Sequence, residues 1–171
     1  MSLNWYEKFA NKKGVFIAAW LPSSFYKRYK HMNDLNDNLH MTILYIEDFA
    51  DQEGDRNQIL KAIEKVTKDT APVKCEIAEL GIMNDSDNTM VVNVNVTDGA
   101  AFYANLVEAI EKDWREFKRE YDFLPHISLK YDNNRETVKC DELKDFSWTI
   151  NKISATFNRD DESQEWFKLM G

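Results

Sequence analysis

The chain has 171 residues, of which 43% are hydrophobic and 13% aromatic, enough to core one domain and near the usual size of one. Its formal net charge of −8 argues against the broad basic surface on which duplex DNA binding depends. The longest apolar stretch, Val15 to Pro22, is far too short for a membrane span, and the N-terminus lacks the order of a signal peptide, so a cytoplasmic monomer with no membrane partner is expected.

Val15 to Leu21 is an unbroken apolar run closed by Pro22, the pattern of a strand covered on both faces. Ser23 or Ser24 can cap a short helix that continues to about His31 with Phe25 and Tyr26 facing inward. Asn33 to Asn38 carries turn chemistry, and a second strand, Leu39 to Ile46, follows. Between Asp51 and Thr70 the residues Ile59, Leu60, Ile63 and Val66 recur at steps of three and four, which predicts an amphipathic helix with Asp55 among its possible caps. Val73 to Met83 and Met90 to Val96 read as a hairpin across the polar turn 84–88, with Val92, Val94 and Val96 alternating against Asn93 and Asn95. The longest predicted helix runs from Gly99 to Tyr121 on a stripe of Phe102, Leu106, Ile110, Trp114, Phe117 and Tyr121, with Glu111 placed to pair with Arg115. Strands over Leu124 to Tyr131, Phe146 to Phe157 and Trp166 to Leu169 complete the chain. This order, β-α-β-α-β-β-α-β-β-β, predicts an α+β domain spanning 1–171, with helices against antiparallel sheet.

Cys75 and Cys140 have no C-x-x-C partner, which supports neither a zinc knuckle nor a disulfide framework. The acidic clusters 47–53 and 160–162 read as solvated loops. Three scattered histidines show no H-x-x-x-H spacing, so neither a metal nor another cofactor is expected.

Two of those histidines share a context: Leu39-His40-Met41-Thr42-Ile43 and Pro125-His126-Ile127-Ser128-Leu129. Both are His-x-hydroxyl inside a predicted strand. Side chains alternate faces along a strand, so His40 and Thr42 share one face, as do His126 and Ser128, while Met41 and Ile127 enter apolar packing. Serine and threonine fill 16 of 171 positions. Two of three histidines would then meet one two residues on in only roughly 2–3% of such chains, so the pair carries weight that neither motif has alone. The residue types suit phosphodiester cleavage. Imidazole titrates near neutrality and can take one proton and give another, while hydroxyls on rigid strands can donate to the non-bridging oxygens. A cleft between two lobes would bring the motifs together.

With both motifs complete, the chain resembles the two-histidine (2H) phosphoesterase superfamily, which includes the 2′-5′ RNA ligase-like proteins, over nearly its whole length. The resemblance implies a bilobal, pseudo-symmetric fold with antiparallel sheets flanking a central cleft and helices outside. It also implies metal-free chemistry at 2′-5′, 2′,3′-cyclic or related phosphodiesters, with His40 and His126 as the catalytic pair.

Thr42 and Ser128 are the first candidates for substrate binding. Lys130 stands in phase with His126 and Ser128 and can face a phosphate, or can simply lie at the surface. Trp20 can stack on a base at the cleft mouth or be buried, and Tyr45 and Tyr131 fall on the opposite face from the histidines, as packing. His31 belongs to the basic cluster Lys27 to His31, read as a solvated helix face. The expected partner is a small nucleotide or oligonucleotide phosphodiester. Two rivals stand beside an enzyme that cleaves a phosphodiester of RNA termini, 2′-5′ oligonucleotides or a cyclic nucleotide: a phage-type nuclease degrading cyclic oligonucleotide immune signals, and a non-catalytic module that holds a phosphorylated ligand. The intact motifs argue against the second.

Overall fold

A computed structural model describes residues 13–32, 35, 38–82, 89–119, 122–130, 140–158 and 164–171. The first apolar run forms β1 (Val15–Trp20), and α1 (Ser23–Arg28) follows it. Then come β2 (His40–Ile46), α2 (Asp55–Asp69), β3 (Val73–Ile82), β4 (Met90–Val96), α3 (Gly99–Asp113) and β5 (His126–Lys130). A 3₁₀ turn at Cys140–Leu143 leads to β6 (Ser147–Ile150), β7 (Lys152–Phe157) and β8 (Glu165–Lys168). The turn 84–88, the acidic cluster 160–162 and Tyr131 lie outside the described residues.

These strands form one antiparallel sheet in the order β6-β3-β4-β5-β2-β1-β7-β8. The order contains its own symmetry. Each half has a motif strand innermost, β2 or β5, and the halves join through one register pair, Met41 with Ile127. The fold is the expected α+β architecture, with helices against antiparallel sheet. Ile59 and Ile63 of α2 and Phe102, Leu106 and Ile110 of α3 pack in one buried cluster with Met41, Val92 and Ile127. The helices therefore cover the face that Met41 and Ile127 present, and the alternate residues look the other way.

The sequence expectations fail where tertiary contacts override local pattern. The strand expected over Phe146 to Phe157 is two strands, because only Asn151 separates β6 from β7 and the two pair with β3 and β1 respectively. Five strands lie between β6 and β7 in the sheet order, so one residue can join them only if the sheet curls strongly. The long helix stops at Asp113 rather than Tyr121. There the Trp114 indole N–H donates to Asp55 Oδ1 at 2.9 Å. Arg115 stacks on that indole at 4.1 Å and donates to the Asp48 carboxylate and carbonyl at 2.9 and 2.7 Å, so Asp48 and not Glu111 is its ionic partner. These anchors turn the backbone away while Phe117 remains buried. Neither serine caps α1, whose N-cap is Pro22, and the N-cap of α2 is Gly54, with a φ of 90° that glycine tolerates.

Candidate active site

Strand pairing builds the site. Met41 faces Ile127, and continuing that antiparallel register sets His40 beside Ser128 and Thr42 beside His126. All four side chains lie on the face opposite the buried Met41 and Ile127, as the alternating exposure of both strands shows. Each imidazole thus has a hydroxyl two residues on in its own strand and another directly across. In that register His40 and His126 form a diagonal pair about Met41 and Ile127.

The two rings are held alike. His40 Nδ1 lies 3.0 Å from the Asn38 carbonyl, and His126 Nδ1 lies 2.7 Å from the Leu124 carbonyl, in each case the residue two positions earlier. A carbonyl oxygen only accepts, so Nδ1 carries the hydrogen and donates it. In the neutral ring Nε2, at the far side, then carries no hydrogen and is an acceptor.

Two rows of residues cross the sheet around this centre. One runs through Trp20, His40, Ser128, Val91 and Gly81, the other through Ser154, Ala18, Thr42, His126 and Asn93. Trp20 is half-buried with its ring centroid 5.0 Å from that of His40, and its indole N–H donates to Ser154 Oγ at 2.8 Å. Phe16 approaches the same imidazole edge-on at 5.1 Å. Trp20 therefore packs beside His40 rather than in the main core, and Ser154, itself fully buried, sets the orientation of its ring. Sequence reading missed Ser154, since nothing local to it points at a residue so distant in the chain.

Two placements change because both motif strands carry a register irregularity one residue after the hydroxyl. Opposite β1, Ala18 pairs with Thr42 but Ile17 pairs with Leu44, leaving Ile43 as an extra residue. Opposite β4, Val91 pairs with Ser128 but Met90 pairs with Lys130, leaving Leu129 as the extra one. An extra residue inverts the facing of all that follow it. Lys130 consequently shares the side of Met90, a core residue, and the phase argument that set it beside the phosphate does not hold. Tyr45 moves the other way. It pairs with Phe16 on the face of His40 and Thr42, and its hydroxyl donates to the Lys13 carbonyl at 2.9 Å.

His31 lies away from this face, 2.9 Å from the Glu142 carboxylate at an exposed position. Cys75 is a buried free thiol whose pKa burial pushes up to about 12, which makes it a poor nucleophile. Among the described residues no three histidine, cysteine or acidic side chains gather closely enough to hold a metal ion, and no helix is long and apolar enough to cross a membrane.

The family model described as the 2′-5′ RNA ligase superfamily matches residues 14–161. Among solved structures, TT0787 of Thermus thermophilus is similar with a TM-score of 0.70 at 15% identity, over 92% of this chain and 98% of that one. LigT of E. coli complexed with 3′-AMP gives 0.61 at 17% identity, over 92% and 95% of the two chains. The PDE domain of MHV ns2 gives 0.51 at 17% identity, over 92% and 99%. No curated protein sequence matches the chain.

Proposed function

The chain belongs to the 2′-5′ RNA ligase superfamily, and from that premise we propose that it is a metal-independent phosphodiesterase acting on a short or cyclic nucleotide, 2′-5′-linked, 2′,3′-cyclic or a cyclic oligonucleotide. One observation carries the reading: both His-x-hydroxyl motifs lie on one face of adjacent strands that pair at Met41 and Ile127, the residues between each histidine and its hydroxyl.

In the reaction, one neutral imidazole accepts through Nε2 the proton of the attacking oxygen, water or a ribose hydroxyl. The other, protonated, gives its Nε2 proton to the leaving oxygen. The attacking oxygen bonds to phosphorus as the bond to the leaving oxygen breaks, and exchange with solvent restores the two protonation states. Thr42 and Ser128 donate to the non-bridging oxygens as charge gathers on them. Since one ring must be neutral while the other is charged, the pH–rate profile is expected to be bell-shaped around neutrality.

The overall charge of −8 disfavours a long polyanion, and with Lys130 off the motif face the described residues give the site little cationic reach along a strand. The LigT structure holding 3′-AMP supplies a fold relative with a mononucleotide bound. The test is a product screen in excess chelator over nucleoside 2′,3′-cyclic phosphates, 2′-5′-linked di- to tetranucleotides, cyclic di- and trinucleotides, and long RNA containing the same bond. A short or cyclic compound should turn over at least as fast as the long RNA, with modest salt dependence. Long RNA as the far better substrate with a steep salt slope would overturn the size assignment, and activity restored only by added metal would overturn the mechanism.

A further inference from the structure

The site's two-fold arrangement places two unlike residues in equivalent positions. Trp20 is the β1 residue directly opposite His40, and Asn93 is the β4 residue directly opposite His126. Each lies one strand outside the imidazole pair, so the two flank it from opposite sides. A phosphodiester has a related geometry, with two substituents leaving the phosphorus in different directions. A phosphate centred between the imidazoles directs one substituent toward Trp20 and the other toward Asn93.

The two flanks offer different chemistry. Trp20 presents an indole face whose N–H is already engaged by Ser154, which suits stacking, an interaction open to any base. Asn93 is exposed, and its amide makes no hydrogen bond to any described residue. Its position in the middle of a strand between Val92 and Val94 is one where asparagine is a poor choice for the sheet itself. The amide offers two donors and an acceptor at the margin of the site, a set that can pair with the polar edge of one base and mismatch another.

We infer that Asn93 is a specificity-determining residue that reads the base of the nucleoside on the His126 side, while Trp20 holds the nucleoside on the His40 side by stacking without choosing its base. The inference rests on the phosphodiesterase reading and adds to it a direction: base preference resides at one of the two positions flanking the scissile phosphate.

The experiment measures kcat and KM for 2′-5′-linked dinucleotides covering the four bases at each position, with wild type, Asn93→Val and Trp20→Ala. Valine suits a strand better than asparagine, so N93V should fold with an unchanged or raised melting temperature, which separates lost recognition from lost structure. Wild type should discriminate bases at one position only. N93V should erase that preference and raise KM for the preferred base by about 3- to 10-fold with kcat changed less than about 2-fold, the scale of one or two hydrogen bonds. W20A should lower kcat/KM for all compounds while keeping the preference. A folded N93V that retains the wild-type preference, or a wild type with no preference at either position, overturns the role of Asn93. A wild type that cleaves no member of this panel overturns the inference for 2′-5′-linked substrates, and one that also cleaves neither the 2′,3′-cyclic phosphates nor the cyclic di- and trinucleotides of the product screen overturns the phosphodiesterase reading on which it rests.

Discussion

His40→Ala and His126→Ala are each expected to lower turnover by at least ~10²-fold, the contribution typical of one proton-transfer group. Both imidazoles are only partly buried, and each donates to a carbonyl two residues back from outside the buried face, so removal leaves the sheet and its apolar face in place. The variants should differ in stability, since only the ring of His40 packs against Phe16 and Trp20. Each variant should also lose one limb of the bell-shaped pH profile, and the limb lost identifies the acid and the base. The measurement is single-turnover rate against pH on protein whose fold is verified by circular dichroism and thermal melting. A folded single variant with near wild-type rate refutes the catalytic assignment.

Thr42→Ala and Ser128→Ala should cost less, on the scale of ~10–10³-fold in kcat, as transition-state donors do, with KM changed little. The crossed arrangement sharpens this expectation. In the proposed mechanism Thr42, across from His126 in the continued register, and Ser128, across from His40, each act on a phosphate held by the other motif's imidazole. The double variant T42A/H126A should therefore lose less than the product of its single losses, because the pair shares one phosphate. Thr42→Ser, which keeps the hydroxyl, should recover most of the rate. Unchanged rates in both alanine variants would assign the hydroxyls to packing.

Much of this site was legible in the sequence because its key parts obey local rules. The His-x-hydroxyl pairs share a face through the two-residue strand period, and the helices announce themselves by steps of three and four, as Ile59, Ile63, Leu106 and Ile110 do. What was missed depends on partners chosen by the fold. No composition signal marks Ile43 or Leu129 as extra residues, yet each inverts the facing of the strand beyond it, and so Lys130 and Tyr45 exchange the sides that simple alternation gave them. The end of α3 is set by Asp48 and Asp55, far back in the chain, against a stripe that would continue the helix. Ser154 and Asn93 become meaningful only once strand neighbours are known.

The junction at Asn151 also bears on how the protein acquires its shape. β1, near the start of the chain, is flanked by β2 and by β7, which is made almost last, while β6 waits to close the far edge against β3. During synthesis β1 thus has one open edge until residues 152–157 leave the ribosome, and the β2 half of the sheet cannot be completed before the β5 half has also been made. Pairings between distant parts of a chain lose loop entropy before they return contact energy, which places such topologies toward the slow end of two-state folding, milliseconds to seconds. The face that carries both motifs, built on the two strands where the halves meet, is accordingly expected among the last surfaces to become native. Refolding followed by recovery of activity should lag refolding followed by helix content.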